Sequence, residues 1–285
     1  MSKVSICVPT YEYNGKGVML LQNLLDSLSI VNNKNFELVI SDQSTDNQIC
    51  NLISWNQYEY DIKYCRCDKL PSGNMSYNTN NSIKQATGDI IKPLFQDDVI
   101  NSPSIIDVLY DVFENKSVGW VGMKYIHVFE EGVEPRWRHC HDPFYHKDTF
   151  FGHNKVSSPS AVAFRKDDSN FFDTNITMMM DCEFYHRMQQ KYGVPLFLLN
   201  EPFVAIGQHP EQYQNNADLK SKMTEEFLYM FKKHGIVNLL MDEIESPWKP
   251  EMQEALQIIN SEQKEASVWE KREEERLKNL LEENL

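Results

Sequence analysis

The chain has no apolar run that approaches the ~20 residues a bilayer crossing requires, so no transmembrane segment is expected. Basic residues are also scarce, with 28 lysines and arginines against 42 aspartates and glutamates and a net charge of −14. That balance argues against a general affinity for nucleic acid or anionic lipid, both of which recruit cationic side chains. The six cysteines (Cys7, Cys50, Cys65, Cys67, Cys140, Cys182) form no C-x-x-C pair, which fits reduced thiols better than a disulfide framework. The first ten residues enter a strand pattern directly and do not read as a signal peptide, so a soluble, cytoplasmic location is expected. No G-x-G-x-x-G follows the first strand, which disfavours an NAD-dependent dehydrogenase. The segment Asn14-Gly-Lys-Gly17 is a poor version of the phosphate loop that a nucleotidyltransferase would carry.

What the chain does have, over its first hundred residues, is an alternation of short β-rich runs with helical periodicity, the signature of a mainly parallel sheet flanked by helices. Strands are expected at residues 3–8, 36–41, 62–65 and 89–94, with helices at 18–30, 47–56 and 76–87. The first helix carries Leu20, Leu21, Leu24, Leu25 and Leu28 on one face at 3.6-residue spacing. Gly88 reads as the residue that stops the third. Right-handed crossovers in such a sheet gather the carboxyl ends of the strands at one edge, where ligands bind. Three polar clusters fall there: Pro9 to Glu12, Ser41 to Asp46, and Gln96-Asp97-Asp98.

The middle third is less regular. A helix is expected at 103–114, strands at 118–128, 160–165, 195–199 and 203–206, and a helix at 181–192 that opens on an acid. From residue 216 the pattern is helical, and the last 35 residues hold ten glutamates and five lysines plus arginines. They read as a solvated amphipathic helix or pair, with a mobile charged tail as the alternative and self-association as one use of the helix. The domain expectation is therefore a catalytic α/β unit over 1–215, with a nucleotide-binding half (1–100) and an acceptor-side half (101–215), followed by a helical extension over 216–285.

The chemistry concentrates at Gly88-Asp-Ile-Ile-Lys-Pro-Leu-Phe-Gln-Asp97-Asp98, where two adjacent carboxylates leave the end of an apolar strand. Hard cations take one or two such oxygens and complete their shell with phosphate and water. A turn or helix cap is the plainer reading of the same pair. The order of Val4 to Glu12, then Ser41 to Asp46, then Asn74-x-x-Tyr-Asn78, then Gln96-Asp97-Asp98, resembles the family 2 glycosyltransferases, which have the GT-A fold. The resemblance covers about residues 3 to 210.

It implies a nucleotide-sugar donor, commonly UDP-linked, a divalent cation (Mn²⁺ or Mg²⁺) and transfer with inversion to a hydroxyl of a glycan or other acceptor. By the same resemblance Pro9, Thr10, Glu12 and Asp42 hold the nucleoside, and Asn74, Asn78 and Gln96 contact the donor. Asp97 matches the second carboxylate of the family's Asp-x-Asp, while Phe95 stands where its first Asp would be, leaving Asp98 or Gln96 to compensate. His209, after the last core strand, joins Asp97 and Asp98 as a candidate metal ligand. Asp181 is the candidate general base and Glu183 its neighbour on the acceptor side. Trp137 and Arg138 are expected on an acceptor-side loop, stacking on a sugar face and meeting an anionic group. A zinc cluster at His139, Cys140 and His141 is disfavoured, because the two histidines point to opposite sides of an extended segment. A non-catalytic carbohydrate- or nucleotide-binding protein of the same fold and a nucleotidyltransferase remain the alternatives.

Overall fold

The computed structural model describes residues 3–55, 57–67, 74–129, 140–209 and 218–283. The chain divides into two compact units, Met1–Asn215 and Asn216–Leu285. In the first, β1 (Val4–Thr10), β2 (Phe36–Asp42), β3 (Asp61–Arg66) and β4 (Ile90–Pro93) alternate with α1 (Gly17–Ser29), α2 (Gln48–Trp55) and α3 (Met75–Gln85). After the two-residue β5 (Val99–Ile100) come α4 (Ile105–Glu114), β6 (Trp120–Met123), β7 (Tyr125–Phe129) and β8 (Cys140–His141). They are followed by β9 (Val162–Arg165), α5 (Met180–Tyr192), β10 (Leu196–Leu198) and β11 (Val204–Gln208).

Seven strands form one sheet in the order β10-β6-β9-β4-β1-β2-β3, and β5-β11-β7-β8 form a second. The two expected halves of the unit thus share one sheet: β6, β9 and β10, from beyond residue 100, extend the layer that β1 to β4 begin. Within it β9 alone runs antiparallel to its neighbours β4 and β6. An antiparallel strand starts where the parallel ones end, so the residues just before β9 arrive at the carboxyl edge together with Thr10, Asp42 and the chain after Pro93.

The core follows the sequence pattern. β1 and β2 are buried along their whole length, as central strands covered on both faces must be. Leu21, Leu24, Leu25 and Leu28 of α1 pack into the same cluster. Each such side chain contributes roughly 1.5–3 kcal/mol on removal from water.

Helix α3 differs, for it buries Ser76, Asn78, Thr79, Asn80 and Ser82. Buried polar groups must find partners, and these do. Asn78 Nδ2 donates to the Thr10 carbonyl and its Oδ1 accepts from Ser41 Oγ. Asn80 exchanges two hydrogen bonds with the backbone of Phe172 (2.7 and 2.8 Å), and Ser76 Oγ donates to the Ile176 carbonyl. The helix therefore ties the ends of β1 and β2 to the segment that leads into α5.

Two local expectations need correction. Residues 118–128 are two strands in different sheets, parted at Lys124, whose N–H donates to Leu198 and whose carbonyl accepts from Phe203. Gly88 does not stop α3, which ends three residues earlier at Gln85. A Cβ at Gly88 would lie 2.3 Å from the Lys3 carbonyl, so close backbone approach explains this glycine. Next to it the buried Glu37 carboxylate accepts from Ser5 Oγ, from the N–H and hydroxyl of Thr87 and from the Gly88 N–H. Burial alone would raise this acid, but the four donors outweigh it and hold it at about 2.

The second unit holds α6 (Leu219–His234) and α7 (Lys249–Glu283). Thr224 meets Glu254, and Lys232 meets Glu262. The constant offset of 30 residues makes the two helices parallel. Among the described residues no helix is long and apolar enough to cross a membrane.

Candidate functional site

A cavity of about 480 Å³ opens at the carboxyl edge of the large sheet. Its first wall grows from the turn after β1. There Tyr13 and Asn14 hold left-handed φ angles of 49° and 52°, an unfavourable conformation for residues with a side chain. Gln96 clamps the turn: its Oε1 accepts from the Tyr11 N–H at 3.0 Å and its Nε2 donates to the Gly17 carbonyl at 2.7 Å. So held, Tyr13 brings its hydroxyl 3.0 Å from His209 Nε2, with its ring edge-on to the imidazole.

The same Nε2 lies 3.1 Å from Asp97 Oδ2. This approach depends on Gly207, where a Cβ would sit 2.3 Å from the Asp97 carbonyl. The Gly207 N–H donates to Asp98 Oδ1 at 2.9 Å, so Asp98 acts as a strut between β11 and the turn after β4. Burial first, and then the Asp97 charge, push the Asp98 carboxyl well above the usual carboxylate range.

The second wall comes from the other half of the unit. Ser158 and Pro159, just before β9, face Thr177, Met178, Met180 and Asp181, at and before the start of α5. Asp181 occupies the first turn of that helix, where the exposed N–H groups favour a negative charge. Its Oδ1 accepts from the Cys182 N–H and its Oδ2 from Asn154 Nδ2, both at 2.7 Å. Burial raises this carboxyl to about 6 against the pull of those donors.

Of the residues expected from the sequence, Pro9, Asn78, Gln96, Asp97, Asp98 and Asp181 line this one cavity, and His209 stands against it through Asp97. Others stand behind it. Thr10 Oγ1 donates to the Ser41 carbonyl, and Glu12 accepts from the N–H and hydroxyl of Thr45. Asp42 is fully buried, accepting from the Ser44 N–H, the Tyr64 hydroxyl and Arg66 Nη1. Asn74 caps α3 by accepting from the Tyr77 N–H, and donates to the Thr174 carbonyl. The structure does not bring Glu183 to the cavity: it is fully buried with both oxygens 2.9 Å from Arg187 Nε. One helical residue step turns a side chain by about 100°, so Asp181 and Glu183 lie on opposite faces of α5. Trp137 and Arg138 lie outside the described residues.

Sequence reasoning put Tyr11 and Gln43 in clusters at this edge without giving them a role, and it missed Tyr13, Gln208 and Asn154. The two tyrosines flank Glu12 at the end of a recognised motif, a signal that was present. Asn154 is distant from every motif and had none.

A carboxylate and an imidazole 3.1 Å apart suit a divalent ion, because adjacent ligands of an octahedral shell with ~2.1 Å bonds lie about 3.0 Å apart. A mixed oxygen and nitrogen set suits Mn²⁺ better than Mg²⁺, which prefers oxygen alone. Asp98 fits less well, since one of its oxygens is already engaged by the Gly207 N–H.

A largely parallel sheet with one reversed strand, carrying acids at its carboxyl edge, defines a GT-A architecture. The model of glycosyl transferase family 2 matches residues 5–187, and the chain belongs to that family. Among solved structures it is similar to Staphylococcus aureus TarS, at 21% identity and a TM-score of 0.58, over 80% of this chain and 40% of that one. It is also similar to TarS 1-349 in complex with UDP-GlcNAc, at 16% identity and a TM-score of 0.59, over 89% and 79% of the two chains. A mannosyltransferase from Pyrobaculum calidifontis, in complex with GDP-Man and Mn²⁺, matches at 14% identity and a TM-score of 0.52, over 90% and 69%. The chain thus spans less than half of the longer TarS chain. No curated protein matches it.

Proposed function

We propose that this chain transfers a sugar, with inversion and metal assistance, from a nucleotide-diphosphate donor, UDP-linked, to an acceptor hydroxyl. The observation that carries this reading is that one cavity has Asp97, backed by His209 at 3.1 Å, at one wall and the Asp181 carboxyl at the other. Complexes of similar proteins with UDP-GlcNAc and with GDP-Man and Mn²⁺ support the donor class.

In this reading Asp97 and His209 hold the divalent ion, which supplies positive charge against the diphosphate. The nucleoside lies toward Pro9 and Gln43, with Thr10, Glu12 and Asp42 shaping that end from behind and Asn78 beside it. Asp181 takes the proton of the acceptor hydroxyl as that oxygen attacks C1. The C1–O bond to the diphosphate breaks, its electron pair leaves with the nucleotide, and attack from the opposite face inverts the anomeric centre. A base that titrates near neutrality suits this step, being both ionised and able to accept a proton.

Thermal melts with UDP-GlcNAc, UDP-glucose and GDP-mannose, each with and without Mn²⁺, test the reading, since a ligand of the native state raises its Tm. A metal-dependent rise is expected with at least one UDP sugar. Equal shifts without metal would favour a non-catalytic binding protein, and no shift with any sugar would overturn the donor class.

A further inference from the structure

Behind Asp181 stands Asn154, whose side-chain amide is engaged at both ends. Asn154 Oδ1 accepts from the N–H groups of Val156 (2.9 Å) and Ser157 (3.1 Å), and its Nδ2 donates to the Ser157 carbonyl (3.0 Å). This closes a tight loop in which Ser157 holds a φ of 98°, a conformation that residues with a Cβ seldom adopt. The loop is tied to α5 as well, because the Tyr185 hydroxyl donates to the Ser157 carbonyl at 3.0 Å. With its amide fixed in this way, Asn154 has one N–H direction left, and it ends on Asp181 Oδ2 at 2.7 Å.

We propose that Asn154 is the positioning residue of the general base, holding the Asp181 carboxylate by one oxygen in the orientation that faces the acceptor. The proposal rests on the reading of Asp181 as base given above. An asparagine amide nitrogen only donates, so it matches a carboxylate oxygen and opposes a proton on that oxygen. The Cys182 N–H does the same at the other oxygen. These two donors, with the Cys182 thiol and the Asp181 N–H, stabilise the ionised acid while burial destabilises it, and burial prevails to leave the group at about 6.

Among the described residues the ionisable groups beside Asp181 are the Cys182 thiol and the Tyr185 hydroxyl, both on α5. Tyr185 is raised well above its ordinary value by burial and then by Asp181, so it stays neutral. Lys155, in the facing loop, is exposed. The amide of Asn154 is thus the polar group that this loop presents to the carboxylate.

The test is a ¹³C NMR titration of the full chain labelled at aspartate Cγ, with the Asp181 signal assigned by its loss in Asp181→Asn. The wild-type midpoint is expected near pH 6. Loss of a donor to a charged group is expected to raise it by ~1 unit in Asn154→Ala. Asn154→Asp keeps the oxygen that closes the loop and sets a second carboxylate against the first, so the upper midpoint of the pair is expected to rise by ~2 units. Asn154→Asp also guards against a loop that fails to form in the alanine variant.

A midpoint that stays within ~0.3 unit of wild type in both variants would overturn the proposal, whatever their melting temperatures do. Failure of the underlying reading looks different: Asp181→Asn would then hydrolyse UDP-GlcNAc with Mn²⁺ at the wild-type rate, while the titration still moved in the Asn154 variants.

Discussion

The two walls of the cavity reach similar chemistry by different means. The wall at Asp97 is set mainly by backbone: Gly207 lets two segments approach within van der Waals contact and its N–H fixes Asp98, and one side-chain amide, Gln96, bridges two main-chain groups there. The wall at Asp181 is set by side-chain amides, with Asn154 gripping the carboxylate and Asn80 holding the segment before α5 through Phe172. Backbone contacts come with the sheet and fail only if it distorts. Amide contacts each depend on one residue and can be lost singly, so mutations should separate the walls.

The largest separation is expected from the two acids. Asp181→Asn should lower turnover by about 10³-fold, within the range for loss of a positioned base, yet keep the metal-dependent rise in Tm with donor. Asp97→Ala should remove the metal dependence of that rise as well as turnover. Melts and initial rates on both variants check the pair, and identical behaviour of the two would erase the distinction between the walls.

A pH profile sharpens the same contrast. A base acts only when ionised, and Asp181 is raised to about 6, so under the proposed role turnover should fall as pH drops through 6, tenfold per unit below it. Initial rates between pH 4.5 and 8 test this, and a flat profile across pH 6 would remove Asp181 from the proton transfer.

Smaller effects are expected in the scaffold. In Gly207→Ala the added Cβ, 2.3 Å from the Asp97 carbonyl, should force the two segments apart and cost about 1–3 kcal/mol of stability by overpacking, read from urea unfolding. It should also weaken metal-dependent donor binding and leave the Asp181 midpoint in place. Glu37, on neither wall, provides the baseline. Its folded pKa of about 2 lies below the ordinary 4.5, so its contribution to stability is full above pH 4.5 and is lost as pH falls through 2. The difference in urea midpoint between wild type and Glu37→Gln should therefore shrink from pH 7 to pH 3, with the site unaffected.

The first hundred residues were largely legible in the sequence. Their four strands and three helices fall within two residues of their expected ends, because each βα unit repeats its own pattern of burial. The four motifs could be put in order for the same reason. Helix α3 shows where the pattern stops informing: its mean composition is polar, yet it is buried, and nothing local reveals that Asn78 and Asn80 answer to Thr10, Ser41 and Phe172. The break at Lys124 was equally hidden, since residues 118–128 form one β-rich run and only the partners Leu198 and Phe203 divide it. Asn154 lies 27 positions from Asp181, in a segment with neither periodicity nor motif.

By itself the sequence determined the parallel βα framework, the family and the place of Asp97, because these rest on local periodicity, on the order of the motifs and on a residue that follows a strand end wherever the sheet forms. Only the tertiary structure decided that His209 meets Asp97, that Asp42 is spent on internal partners and Asp98 braces Gly207, that Glu183 turns away and that Asn154 reaches Asp181. Those outcomes hang on hydrogen bonds between segments distant in the chain, and a directional bond of about 3 Å is set by how the elements pack, which no stretch of residues encodes alone.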